Sequence, residues 1–263
     1  MTIQTTLLVA ALALSTASAQ TPAAPAIPPA APATPPAAPA EVKPQKPKRE
    51  PRTEASAVTP ATRNEGRRKN FLAAGKKPGI QIVFLGDSIT DAFPGRGKAV
   101  WNEHYAPFNA VSFGVSGERT DDTLGHIAGG VLDGLSPKAV VIMIGTNNVG
   151  HFQEEKPEWV AGGIKKIIAE VRTKLPSSKV LLLGVFPRDK KGSRLRTAVE
   201  EINALISKYD DGKTVRYLDI SAKFLDAEGE IPKDIMPDGL HPNEAGYKIW
   251  AEAMKPTLDG LMK

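Results

Sequence analysis

The chain of 263 residues contains no cysteine. That excludes disulfides, thiol nucleophiles and cysteine-ligated metals. Histidine is scarce, with four in all. His104, His126 and His151 show no i, i+4 pairing or other ligand spacing, so zinc has no donor set here. Charged side chains are absent from residues 1–40. They balance in residues 71–263, at 25 basic against 25 acidic. The formal net charge of +5 therefore sits in residues 41–70, which carry nine Lys/Arg and four Asp/Glu. The rest of the chain has no basic excess of the kind that marks a nucleic-acid binder. No glycine-rich loop ends in Lys-Ser or Lys-Thr, and no second acidic cluster accompanies Asp87, so phosphoryl transfer lacks its parts. The apolar run Leu7–Leu14 is too short to span a bilayer.

That run has a different reading. It precedes Ala17–Ser18–Ala19, the small-x-small pattern cut by a signal peptidase, so residues 1–19 are expected to be a signal peptide and the protein to be exported to the periplasm, envelope or exterior. The lack of Lys or Arg near Met1 is a departure from that pattern. No cysteine follows, which excludes a lipoprotein anchor. Residues 20–61 are expected to form a disordered linker, first Ala/Pro-rich and extended, then basic through Lys43, Lys46, Lys48, Arg49 and Arg52. The basic part is read as solvated, with contact to an anionic envelope surface as the functional alternative.

Residues 62–263 read as the folded domain. A helix is expected over Arg63–Lys77, then apolar strands at 80–85, 109–113, 138–144, 179–185 and 215–219. Between them lie a loop at Asp91–Gly97 and helical stretches at Lys98–His104, Asp121–Gly129, Glu154–Leu175 and Arg194–Tyr209. A last helix starts near Asn243, with Pro256 expected to kink it. Such alternation implies an α/β three-layer sandwich with a flavodoxin-like parallel sheet of about five strands. In that architecture the carboxyl ends of the first three strands and the loop before the last helix meet at one crevice.

Chemistry-bearing residues fall at those places. Ser88 follows the first strand in Gly86–Asp87–Ser88–Ile89–Thr90, Gly114 the second, and Asn147 the third. Asp238 and His241 share the loop Pro237–Pro242. Acyl transfer asks for this set. A serine hydroxyl is a weak nucleophile and needs a base, which His241 supplies, and Asp238 would hold the imidazole in its useful tautomer. Activity should then rise with pH as His241 loses its proton. The backbone N–H of Ser88, the backbone N–H of Gly114 and the Asn147 amide could form an oxyanion hole. Taken singly, Ser88 also reads as a helix cap and Gly114 as a turn glycine. Asp87 reads as a structural residue shaping the loop. His151 is read as a surface residue, with lining the crevice as the alternative, Arg188 as a salt-bridge residue or substrate contact, and Trp101 and Tyr105 as packing, with an aromatic wall of the pocket as the alternative.

The blocks GDSIT, FGVSGE, GTNN and DGLH resemble the SGNH (GDSL-type) hydrolase family in order and spacing. Trp101–Ala110 and Gly184–Arg188 are most similar to the platelet-activating-factor acetylhydrolase catalytic-subunit group and its bacterial relatives. The resemblance implies a cofactor-free serine esterase, with Ser88, Asp238 and His241 as catalytic residues and no metal. The expected substrate is a small acyl ester, acetyl first, on an O-acetylated carbohydrate or a short-chain lipid. The alternatives are lysophospholipase or thioesterase action on longer chains, and a non-catalytic glycan-binding module. Dimerisation is open by analogy alone. Two positions depart from the pattern: Asn148 replaces an aspartate common in the family, with activity expected to survive, and Gly239 replaces a bulkier residue, which would widen the site mouth.

Overall fold

Strands of alternating core-facing residues build the scaffold. A computed structural model of the chain describes residues 51–263, so the signal-peptide assignment and most of the linker lie outside the described residues. Five parallel strands, β1 (Ile82–Gly86), β2 (Val111–Gly114), β3 (Ala139–Met143), β4 (Lys179–Leu183) and β5 (Val215–Leu218), form one sheet in the order β2-β1-β3-β4-β5. That is the flavodoxin-like order, with its switch point between β1 and β3. Because side chains alternate along a strand, each strand feeds two cores. Val83, Leu85, Val140, Ile142, Val180 and Leu182 face one core, whereas Ile82, Phe84, Val141, Met143, Leu181 and Leu183 face the other.

Nine helices appear among the described residues: α1 (Glu54–Val58), α2 (Glu65–Ala74), α3 (Ser88–Arg96), α4 (Lys98–His104), α5 (Thr120–Ala128), α6 (Thr146–His151), α7 (Pro157–Lys174), α8 (Arg194–Ile206) and α9 (Glu244–Leu261). Apolar stripes place α5, α7 and α8 on the first core and α3, α4 and α9 on the second. In α7 the stripe is Val160, Ile164, Ile167, Ile168 and Val171, all buried, as the helical spacing predicts. Helix α9 runs on past Pro256 to Leu261.

Two sequence expectations fail. The stretch Asp91–Gly97, read as a loop, belongs to α3. Pro94 lacks the N–H that would bond the carbonyl of Thr90. The Ser112 hydroxyl, from β2, donates to that carbonyl instead at 2.9 Å, so the helix survives its proline. The second failure is the linker boundary at 61. Residues 51–61 are packed on the domain: Ala57 is buried, its carbonyl accepts from the Thr120 hydroxyl at 2.9 Å, and Ala61 N–H donates to Asp121 O at 2.9 Å.

Arg52 explains why this segment docks. Its side chain is only 9% exposed, with guanidinium bonds to Asp121 (2.9 and 3.2 Å) and Glu155 (2.6 and 3.1 Å). Arg52, one of the five basic residues read into the linker, thus belongs to the folded unit and not to a solvated tail. Asn148 completes the network, donating to Glu155 Oε1 at 2.8 Å and to Thr120 Oγ1 at 3.1 Å. An aspartate at 148 would set a second carboxylate against Glu155, which accounts for the amide there.

Removing Arg52 leaves the buried Glu155 carboxylate without its counter-charge. Arg52→Ala should cost about 3–5 kcal/mol of stability, read as a lowered urea midpoint with unchanged slope. A loss under about 1 kcal/mol, the scale of an exposed pair, would show that the strap is dispensable.

Candidate active site

The hydroxyl at the end of β1 is placed by the start of a helix. Asp87 is the N-cap of α3, its Oδ1 accepting the Ile89 N–H at 3.0 Å. Ser88 is therefore the first helical residue. A first-turn amide has no partner within its own helix, and no backbone acceptor lies outside it for Ser88 N–H among the described residues. The Ser88 Oγ lies 2.9 Å from His241 Nε2. His241 Nδ1 lies 2.7 Å from Asp238 Oδ2. An ionised carboxylate only accepts, so the proton sits on Nδ1, and Nε2 is left to accept from serine.

The loop carrying the imidazole is tied to its own carboxylate. Asp238 Oδ1 accepts the N–H of Leu240 at 3.0 Å and of His241 at 2.7 Å. Partial burial works to raise the Asp238 pKa, but these N–H bonds and the imidazole outweigh it and hold the carboxyl down at about 2. It is therefore ionised wherever His241 acts as a base.

Beside Ser88 opens a crevice of about 360 Å³ whose wall includes Ser116, Gly117, Asn147, His151, Arg188 and Leu240. Asn147 lies in the first turn of α6, and one hydrogen of its amide goes to Glu118 O at 2.9 Å, leaving the other for the crevice. Gly114 does not reach this wall. It pairs with Gly86 across β1 and β2, and a Cβ on it would overlap the Asp87 carbonyl and the backbone of Thr90 and Asp91. Its role is close packing beneath α3. Gly117 lies on the crevice instead, at φ +76° in the turn closed by Glu118 N–H to Val115 O at 3.2 Å. No backbone acceptor takes the Gly117 N–H among the described residues. The signal for it was the Ser-Gly pair inside FGVSGE, a turn pattern that competes with the strand-end glycine.

The remaining candidates sort by contact. Trp101 and Tyr105 pack in the core around Phe84 and Phe93, with ring centroids 5.0 to 5.4 Å apart. His126 is buried, its Nε2 2.7 Å from Glu118 Oε1. His151 is exposed and stands in the crevice wall, so both of its sequence readings hold. Arg188 is also in that wall, its Nη1 donating to Thr146 O at 3.0 Å and Thr146 Oγ1 at 3.1 Å. It braces the turn that carries Asn147. Asp87 is fully buried, and its Oδ2 has no hydrogen-bond partner. Burial raises its pKa to about 7, against the opposing pull of the Ile89 N–H and the Arg188 guanidinium.

Fold and site together define an α/β protein with a hydroxyl–imidazole–carboxylate chain at the switch point of a flavodoxin-like sheet. The sequence profile of the GDSL-like lipase/acylhydrolase family matches residues 84–249. Over 193 residues, 73% of this chain and 81% of that protein, the sequence is 32% identical to platelet-activating factor acetylhydrolase IB subunit alpha1 of Homo sapiens. It is 31% identical over 194 residues to the alpha2 subunit of Gallus gallus, covering 73% of this chain and 81% of that one. The chain belongs to the GDSL-like lipase/acylhydrolase family and is a carboxylic ester hydrolase. Among solved structures, a GDSL-like lipase from Bacteroides thetaiotaomicron has TM-score 0.64 at 21% identity, covering 75% of this chain and 98% of that one. An acetylxylan esterase from Geobacillus stearothermophilus has TM-score 0.56 at 19% identity, covering 68% and 93%. At such identities these two likenesses speak for the fold.

The buried Asp87 makes stability depend on pH. Its folded pKa, about 7, lies above the ordinary 3.8, so the native state holds the proton more tightly and stability falls as pH rises between those values. Asp87→Asn keeps a capping oxygen and removes the charge. It should abolish that fall and gain roughly 2–4 kcal/mol at pH 8, measured as urea midpoints at pH 4, 6 and 8. Parallel curves for the two proteins would contradict the raised pKa.

Proposed function

We propose that the protein is an exported serine esterase that hydrolyses small acyl esters, acetyl first, with Ser88 as nucleophile, His241 as general base and acid, and Asp238 as the group orienting the imidazole. One observation carries this reading: the unbroken chain Ser88 Oγ–His241 Nε2 at 2.9 Å and His241 Nδ1–Asp238 Oδ2 at 2.7 Å, opening on the crevice. Nε2 takes the hydroxyl proton as Oγ attacks the ester carbonyl. The oxyanion forms beside the N–H of Ser88, the N–H of Gly117 and the second amide hydrogen of Asn147. Gly117 takes the part that the sequence suggested for Gly114. His241 returns the proton to the leaving alcohol, and water repeats the cycle on the acyl-serine.

The crevice wall supports a short acyl group. Around Ser88 it offers one aliphatic side chain, Leu240, among serine, glycine, asparagine, histidine and arginine. A long chain would find little apolar surface to bury there, which disfavours the lysophospholipase and thioesterase alternatives. The relative named acetylhydrolase supports acetyl as the acyl group. The leader read in residues 1–19 supports an exported location, where O-acetylated carbohydrate is the expected substrate and a short-chain lipid ester the competitor.

Turnover of p-nitrophenyl acetate, butyrate and octanoate tests this. The rate should fall from acetate to octanoate. Ser88→Ala should lower turnover by about four to six orders of magnitude, and Asn147→Ala by roughly two to three. A Ser88→Ala protein near wild-type rate, or octanoate outpacing acetate, would defeat the assignment. Well-folded wild type inert to all three esters would favour a glycan-binding module.

A further inference from the structure

The turn that carries Gly117 is gripped from outside the crevice. Of the five successive amides from Val115 to Arg119, four have an acceptor. Val115 N–H donates to Gly86 O at 3.2 Å, Ser116 N–H to Asp91 Oδ2 at 3.3 Å, Glu118 N–H to Val115 O at 3.2 Å and Arg119 N–H to Asp122 Oδ2 at 3.1 Å. The Gly117 N–H has none among the described residues, and Gly117 lies in the crevice wall. One free amide in a run of satisfied ones is what an oxyanion donor requires.

Asp91 supplies the one grip on this run that comes from the helix of Ser88 itself. It stands about one turn beyond Ser88 in α3. Its Oδ2 takes the Ser116 N–H, and its Oδ1 takes Arg67 Nη2 from α2. The same Nη2 donates to Gly114 O at 2.9 Å. Arg67 and Asp91 thus hold the turn on both sides of Val115, and the guanidinium keeps the carboxylate aimed. The guanidinium in turn lies over the Phe71 ring, 5.3 Å from its centroid. Neither side chain lines the crevice. The two are 40% and 27% exposed, and an ion pair so open adds little to stability. What the pair fixes is a distance: the start of α3 carries the hydroxyl, and the turn after β2 carries the donor.

We propose that Asp91, aimed by Arg67, is a positioning residue that sets where the Gly117 N–H stands relative to Ser88 Oγ. The proposal rests on the esterase reading above and adds to it two residues that touch no substrate. Attack of Ser88 Oγ on the ester carbonyl puts charge on an oxygen that must lie about 3 Å from its donors. A shift of about 1 Å in the turn costs on the order of a hundredfold in rate, while the resting ester keeps its place. Acylation and deacylation both pass through such an oxyanion, so both slow together and KM stays.

The test measures kcat and KM for p-nitrophenyl acetate, and Ki for methylboronic acid, in wild type, Asp91→Ala and Arg67→Ala. The boronic acid gains a bond from boron to Ser88 Oγ as His241 takes the hydroxyl proton, and the anionic tetrahedral adduct sets an oxygen where the oxyanion forms. Asp91→Ala should lower kcat by about tenfold to a hundredfold, with KM within about twofold of wild type. Its Ki should rise by about the factor by which kcat falls. Arg67→Ala should move both the same way by about threefold to tenfold, since the carboxylate stays but loses its guide. A merely structural pair would lower the urea midpoint and leave kcat and Ki per folded molecule unchanged. That result, a rise in KM at constant kcat, or a fall in kcat with Ki unmoved would overturn the positioning role. If Asp91→Ala does not fold, Arg67→Ala decides by the same criteria. Variants that match an active wild type would bring down the positioning role alone, whereas failure of p-nitrophenyl acetate in wild type would bring down the esterase reading with it.

Discussion

The site depends on how closely the first turn of α3 sits against the ends of β1, β2 and β3. Two bare α-carbons permit it. A side chain on Gly86 would strike the Thr90 hydroxyl and the Met143 carbonyl, and one on Gly114 would strike the backbone of Asp87, Thr90 and Asp91. With both absent, the Ser88 hydroxyl is held at the switch point, where the crevice between strand ends already lies. The cost is a buried carboxylate: capping α3 places Asp87 beside Ser88, with one oxygen unpaired. The pairing of Gly86 with Gly114 thereby sets the height of the Ser88 hydroxyl above the sheet, and every other site residue must reach that height.

They reach it from rigid supports. Asn147 is fixed from below by Glu118 O and from the side by Arg188, whose guanidinium lies against the one residue of α6, Gly150, that leaves room for it. Glu118 is fixed in turn by His126 and by Asn64 Nδ2 at 2.8 Å. Asn64 belongs to the segment that Arg52 straps over α5 and α7. The first residues of the folded unit thus reach Asn147 through two hydrogen bonds. Two buried atoms of this hydrogen-bonded chain, Glu118 Oε2 and His126 Nδ1, have no hydrogen-bond partner, so the Asn64 bond is one of the few that hold the Glu118 side chain and gives the strap a reason to be part of the domain.

Much of this was legible in the sequence, for identifiable reasons. The five strands are short runs of Val, Ile and Leu, and buried parallel strands have that composition. Ser88, Asn147, Asp238 and His241 stand at strand ends and in the last loop, where topology alone predicts convergence. Hydrogen bonds join Ser88 to His241 and His241 to Asp238. What escaped was set by tertiary compensation. Pro94 reads as a helix breaker because the partner of Thr90 O, Ser112, is 22 residues away. Arg52 reads as one more charge in a basic tail because its carboxylates, Asp121 and Glu155, are 69 and 103 residues distant. Gly114 and Gly117 are three residues apart in one motif, and only the turn geometry separates the packing glycine from the crevice glycine.

Arg196 extends the same logic beyond the nucleophile. A buried arginine that bonds only carbonyls adds little to net stability, because well-packed apolar residues commonly do as well in such a place. Its three acceptors are the carbonyls of Arg188, Asp189 and Gly229. Arg188 also donates to Thr146 O and Oγ1, in the turn that carries Asn147. One guanidinium therefore holds from behind the stretch of backbone whose side chain braces that turn.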